Sequence, residues 1–437
     1  MIRRFVLSML MLWLPCSASA ADPVTLRHVL WDANQRPLYQ QCAKAFEARH
    51  PEIRIRIQQL GWDDYWTSLA TGFVSGTAPD VFTGHLTRFS EYVQNGVMAD
   101  LSRFIAREPL SADLYEPGLL EMWRHDGHQY GLPLDWDTIA LVVNVDQLRA
   151  AGLELKDLQH LTWNPRDGGS LGRIIERLTV DDNGRRANDS GFDRKRVRVY
   201  GYQNPGSGGM MGQTEWSHFA VSAGWRFQGQ PWDGALRYDD PLFIDTVNWL
   251  ASLPGKGVSA TRDSIGRLGA DAMFLSGRVA MVPSGPWMIG HFLQHAKFKH
   301  AWVPLPMGPS GQRASMINSL ALSVWSGTRH APAAWQWVRY AGSRDCQALI
   351  APQGVVFPAV RGLGAVAIEA QRRRGIDTQV FLDAARGPTF PPPIVPRGAE
   401  VNDLMTTALE RVLSGRARAD QTLPEAARRV RELTSQP

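Results

Sequence analysis

The sequence predicts an α/β fold divided into two lobes, and two observations carry that expectation. Apolar residues at period two and at period 3.6 alternate repeatedly from residue 25 to the C-terminus. At 437 residues the chain also exceeds the roughly 250–300 residues that one hydrophobic core holds.

Reading in chain order, Arg3 and Arg4 precede an apolar run from Phe5 to Leu14 and then Ser17-Ala18-Ser19-Ala20-Ala21. The run is shorter than the roughly 20 residues a membrane-spanning helix needs, and Ala18-Ser19-Ala20 has the A-x-A form of a cleavage site. Residues 1–20 are therefore expected to be a signal peptide, the mature chain to begin at Ala21, and the destination to be the periplasm. Pro15 before Cys16 argues against a lipid anchor, because a lipoprotein signal wants a small residue there. No later stretch offers about 18 uninterrupted apolar residues, so a soluble protein is expected.

Thr25 to Trp31 reads as a strand, Pro37 to Arg49 as a helix, and Ile53 to Ile57 as a half-buried strand with Arg54 and Arg56 facing away. Asp63 is placed to cap a helix through Phe73, after which Pro79-Asp80-Val81-Phe82 reads as a short buried strand ending in Thr83-Gly84-His85. Strands are expected over Ile139–Asn144, Val197–Tyr202, Val279–Val282 and Ala301–Leu305. Helices are expected over Leu171–Leu178, Pro241–Leu253, Ala270–Leu275, Ala331–Ala341, Val401–Leu413 and Pro424–Leu433. Asn164–Gly169, Asp181–Asp193 and the run around Pro391-Pro392-Pro393 read as loops.

Charge excludes little. The net +5 comes from 47 basic and 42 acidic residues, and the short clusters Arg194-Lys195-Arg196 and Arg372-Arg373-Arg374 read as solvated surface, so no nucleic-acid partner is expected. Leu38, Cys42, Ala45 and Phe46 share a helical face, which makes Cys42 read as a small core residue; an oxidising compartment also permits a bridge to Cys346.

Catalytic motifs are sparse. The chain has no G-x-S-x-G, H-E-x-x-H or P-loop. His125 and His128 flank the turn signal Asp126-Gly127 and read as a hairpin. The acidic stretch Asp181 to Asp193 lacks EF-hand spacing, so it reads as a turn, and neither a metal nor a cofactor is expected. Asp135 and Asp137 stand two apart on a strand, about 6.6 Å apart along it. That spacing would suit an inverting glycosidase, but both side chains approach from one side, so accepting sugar hydroxyls is the easier role, and Asp135 also suits a structural one. Of sixteen tryptophans, Trp249, Trp302, Trp325, Trp335 and Trp337 fall in element interiors and read as core. Trp31, Trp62, Trp136, Trp216, Trp225, Trp232 and Trp287 fall at element ends, where an indole face suits the C–H face of a pyranose.

Over most of its length the sequence resembles the extracellular solute-binding proteins of sugar ABC importers, the maltose-binding-protein-like family. The resemblance rests on Phe46-Glu-Ala-Arg-His-Pro-Glu-Ile with Trp62 and Tyr65, on Ser75-Gly-Thr-Ala-Pro-Asp-Val-Phe82, and on Tyr130-Gly-Leu-Pro133 with Asp137-Thr138 leading to Asn144. It continues with Gly277-Arg-Val-Ala-Met281, Gly285-Pro-Trp287 and Pro304-Leu-Pro306. It implies a type II periplasmic-binding fold with lobe 1 over 21–138 and 318–352, lobe 2 over 139–317 and 353–437, and a cleft between them that closes by hinge rotation. It also implies a monomer that binds a carbohydrate without transforming it and docks on permease subunits driven by a cytoplasmic ATPase. Carried over by position, its ligand contacts fall at Trp31, Asp32, Gly84, His85, Arg88, Asp137 and Trp287. Trp62, Trp136 and Asn318 join them from the element ends and the crossover, and the match is loose near Trp216 and Asn402. Gly84 stands where the maltose-binding protein has an aromatic, which implies a different stacking pattern. Two other readings remain open: a periplasmic carbohydrate-active enzyme using Asp135 and Asp137, and the same fold holding a phosphorylated polyol, a polyamine or a metal chelate.

Overall fold

The computed structural model describes residues 22–111, 113–266 and 268–435; the expected signal peptide lies outside them. Strand Ile53–Gln59 is stitched in parallel to Val24–Leu30, from Val24 opposite Ile53 to Leu30 opposite Gln59. Helix Arg36–Glu47 makes the crossover, with a proline in its first turn, and buries Leu38, Tyr39, Cys42 and Phe46 against the sheet. The second crossover, Trp62–Ser75, is capped by Gly61 instead of Asp63; Asp63 and Asp64 lie in its first turn, where they complement the helix dipole. It ends at Gly76 in the left-handed region, with φ 70°.

Strand Val81–His85 is the parallel neighbour of Val24–Leu30 on its other side. Beyond it the chain does something that short-range pattern cannot show. Asn318–Val324, arriving from far along the sequence, inserts antiparallel between Val81–His85 and Leu132–Asp137. Phe357–Pro358 then adds an edge strand against Trp136 and Asp135. That edge strand belongs to the first sheet although it follows residue 352, where the first lobe was expected to end. The second sheet has Ala140–Asn144 at its centre, flanked antiparallel by Met281–Ser284 and His300–Val303. The expected strand Val197–Tyr202 shortens to Val197–Val199, and the last helix runs over Ala419–Thr434 with Pro424 inside it.

Two sheets separated in this way give two lobes, and the chain passes between them at Asp137–Ala140 and Met316–Asn318. The two passages lie side by side, the Ile139 N–H donating to Ser315 Oγ at 2.9 Å; Thr138 Oγ1 in addition donates to the Phe381 carbonyl of helix Gln379–Arg386 at 2.9 Å. Asp126, at φ 47°, and Gly127, at φ 81°, close the expected hairpin between Arg124–His125 and His128–Gln129. In the acidic loop the Asp181 carboxylate accepts the backbone N–H groups of Asn183, Arg185 and Asp193, which closes a turn.

Cys42 is more than a core residue. It is joined to Cys346 by a disulfide with an S–S distance of 2.06 Å across a separation of 304 residues, and both residues are fully buried. Helices Arg36–Glu47 and Arg344–Ile350 pack together, so the Cα atoms lie 5.2 Å apart. Closing so long a loop restricts the unfolded chain strongly. Replacing both cysteines by alanine should lower the unfolding free energy in urea by about 2–5 kcal/mol; a midpoint that also ignores reductant in the wild type would show that the bridge contributes nothing.

Candidate ligand-binding site

The strand ends of the first sheet meet segments of the second lobe around a cavity of about 740 Å³, within the roughly 300–1,000 Å³ range of small-molecule sites. Val24–Leu30 runs out into Trp31 and Asp32, whose carboxylate accepts the Asn34 N–H at 2.8 Å and so fixes the turn into the first helix. Val81–His85 ends on His85, whose ring caps helix Leu86–Gln94 by accepting the Thr87 N–H. Leu132–Asp137 brings Asp135, Trp136 and Asp137 to the floor, and the returning strand sets Asn318 opposite Asp137. From the other lobe come the stretch Gly208 to Glu215, Trp287 in a short helical turn, and Asn402 and Thr406 of helix Gly398–Leu413. Gln213 bridges the two sides, donating from Nε2 to Asp137 Oδ1 at 2.6 Å.

Aromatic faces define the shape. Trp31 and Trp62 meet at 5.2 Å and 89°, forming a corner, and Trp62 stands at 86° to the His85 ring. Trp62 is 47% exposed, whereas Trp136 is buried against Phe357. The half-buried Trp287 ring folds back over Gly285, where a Cβ would stand 1.9 Å from it, so only glycine allows that pose.

Burial dominates the electrostatics. Asp137 is raised well above the ordinary carboxylate value by burial first and the Asp135 charge second, opposed by hydrogen bonds from Asn318 and Gln213. Burial pushes Asp135 up to about 7 against the Leu320 N–H, with the Asp32 charge adding to the rise and the Gln35 amide opposing it. Asp32 and Glu215 are raised by the same desolvation. His85 is lowered to about 4 by burial and then by the Arg88 charge, so its ring is neutral.

Nine of the twelve residues expected from the sequence line this one cavity: Trp31, Asp32, Trp62, His85, Trp136, Asp137, Trp287, Asn318 and Asn402. Three do not, and each has a packing reason. Trp216 is fully buried in the second lobe's core against Trp225 and Phe243, its Nε1 donating to the Ser207 carbonyl at 3.0 Å. Gly84 is required because a Cβ there would stand 2.8 Å from the Trp123 ring. Arg88 turns away to Glu91 at 3.5 Å and lies over Trp66 at 5.9 Å. Trp225 is core, and Trp232 stacks on His125 at 3.6 Å. Sequence reading missed Gln35, Gln213 and Glu215, and Asp135 lines the wall as well. The glycine-rich stretch from Gly206 to Gly212 immediately before Gln213 was the available signal.

An aromatic, acid-lined cavity between two α/β lobes joined by adjacent crossovers defines a two-lobed solute-binding protein. The chain belongs to the bacterial extracellular solute-binding protein family, whose model matches residues 32–348. It is 22% identical to the maltodextrin-binding protein MdxE of Bacillus subtilis over 314 residues, covering 70% of this chain and 66% of that protein. Its fold is similar to that of M. tuberculosis UspC, at 27% identity and a TM-score of 0.73 over 94% of this chain and 100% of that one. A Listeria monocytogenes ABC substrate-binding protein in complex with cycloalternan shares the fold at 19% identity and a TM-score of 0.80, over 94% of this chain and 99% of that one.

The division between core and wall is measurable. Trp216→Ala should cost about 3–5 kcal/mol of ligand-free stability, as expected when a large buried ring leaves a cavity. Trp62→Ala should stay within roughly 1 kcal/mol of wild type. Equal losses in urea melts would contradict the assignment.

Proposed function

We propose that this protein is the carbohydrate-binding component of an ABC importer, exported to the periplasm as a monomer by its N-terminal leader, and that it delivers a mono- or oligosaccharide to inner-membrane permease subunits. The observation that carries this reading is one cavity holding both flat indole faces and a set of hydrogen-bond acceptors, the two features a pyranose presents surfaces for. Trp31, Trp62 and Trp287 are assigned to stacking, and Asp32, Asp137, Asn318 and Asn402 to hydroxyl groups. The names of relatives agree: MdxE is a maltodextrin-binding protein, and the Listeria structure holds cycloalternan. Lobe 1 comprises 21–138 and 318–352 with the Phe357–Pro358 edge strand, and lobe 2 the remainder.

The placement of the acids supports binding without turnover. Asp135 and Asp137 rise from one strand, and Asp135 is buried, held by the Leu320 N–H at 3.2 Å and Gln35 Nε2 at 3.3 Å. An inverting glycosidase needs its two carboxyl groups on opposite sides of the scissile bond.

A thermal-shift screen of mono- and oligosaccharides should find a ligand that, at ~100 times its Kd, stabilises the protein by about 2.7 kcal/mol. Trp287→Ala should then weaken binding by about 1–3 kcal/mol in calorimetry, and mass spectrometry should return the ligand unchanged. Turnover abolished by Asp137→Asn would replace this reading with the enzyme.

A further inference from the structure

One loop of the second lobe is rooted in one hydrophobic core and ends in another. Phe227 and Leu236 are buried in the second lobe's core, and the Arg237 N–H donates to the Phe227 carbonyl at 3.0 Å, which closes the base of the loop. Thr434 Oγ1 of the last helix donates to the Gly234 carbonyl at 3.1 Å and holds its C-terminal side. The tip leaves this lobe. Trp232 packs against the first-lobe cluster that contains Phe82, Phe89 and Trp123. Its ring stands 5.8 Å from Phe89 and lies on the His125 ring at 3.6 Å and 28°, a stacked pair.

The backbone at the tip is strained in order to reach. Trp232 has φ 68°, in the left-handed region that a bulky residue enters only at a cost. Its N–H donates to the Ile394 carbonyl at 2.6 Å, which fixes the strained turn, and the ring contacts that offset the cost lie on the other lobe. Beside them the first residue of helix Gly398–Leu413 comes so near the first lobe that a Cβ there would stand 2.7 Å from Ser90 Oγ. Neither Trp232 nor His125 lines the cavity.

We infer that Trp232 and His125 are positioning residues for ligand binding, a clasp outside the cavity that holds the two lobes together. This rests on the two-lobed binding reading above and goes beyond it. Rotation about the passages at Asp137–Ala140 and Met316–Asn318 carries a loop rooted in the second lobe away from a hairpin of the first, so the stack is made only when the lobes are closed. The clasp therefore raises the fraction of binding-competent protein before any ligand arrives, and apparent affinity scales with that fraction.

Small-angle X-ray scattering of the ligand-free protein tests this without the identity of the sugar. Trp232→Gly removes the ring and suits the left-handed backbone, so the loop keeps its course. Its radius of gyration should rise by a few per cent over the wild type's, which is expected near ~22 Å for a compact chain of this length, with the far-ultraviolet circular dichroism unchanged. His125→Ala carries the same test from the other lobe and should also raise the radius, and the double variant should add nothing to Trp232→Gly. Trp232→Phe keeps a ring that can stack and should scatter as the wild type does. An unchanged radius in Trp232→Gly and His125→Ala, or an equal rise in Trp232→Phe, would overturn the clasp and leave the carbohydrate reading standing, because that reading rests on the cavity alone. Failure of the carbohydrate reading would show elsewhere, as a thermal-shift screen in which no saccharide stabilises the wild type.

Discussion

Strand Asn318–Val324 enters the first sheet between Val81–His85 and Leu132–Asp137, two strands made far earlier in the chain, and the cleft depends on that insertion. Its register sets Asn318 opposite Asp137 and Leu320 opposite Asp135, with a shift between Leu320 and Ala321. The same strand feeds the Leu320 N–H to the Asp135 carboxylate and Ser319 Oγ to the Asp135 carbonyl at 2.7 Å. A one-residue slip would turn Asn318 to the opposite face and leave Asp135 without its backbone donor. Every residue of the strand is buried, so the register is specified on both faces. The disulfide between Cys42 and Cys346 holds Arg344–Ile350, the second helix after this strand, to the first helix of the chain, which fixes the same long-range closure covalently.

With that frame in place, the cleft collects acids that burial keeps from ionising freely and indoles that a second aromatic layer holds still. Trp31 packs on Tyr65 at 5.1 Å and on Trp66 at 5.5 Å, so its ring has support behind the face it offers. Trp287 approaches from the other lobe, where Gly285 lets it fold close to the backbone. Indole rings on both lobes line the cavity and a Gln213–Asp137 bond crosses the gap, so a ligand filling it would touch both lobes together.

Period and punctuation made the elements legible. The helix over Ala331–Ala341 and the alternating strand from Ile53 matched their patterns because each buries one face and leaves the other toward solvent. What sequence could not show was partnership over distance. Cys42 displayed only its helical face, and nothing local announced Cys346 on the facing helix. Trp216 sat at an element end, as Trp287 does, yet the first is sealed under Phe243 and Trp225 while the second reaches the cavity. Gly84 looked like a missing ring and proved to be space for Trp123. Gln213 and Glu215 lay in a glycine-rich stretch whose path is set by tertiary contacts, so no periodicity could place them.

Closure of the lobes on a sugar held from both sides is measurable by small-angle X-ray scattering. The radius of gyration should fall when a saccharide from the screen is added at saturation, and the fall should shrink in Trp287→Ala at the same sugar concentration. Tight binding in calorimetry with an unchanged radius of gyration would rule out closure on the ligand.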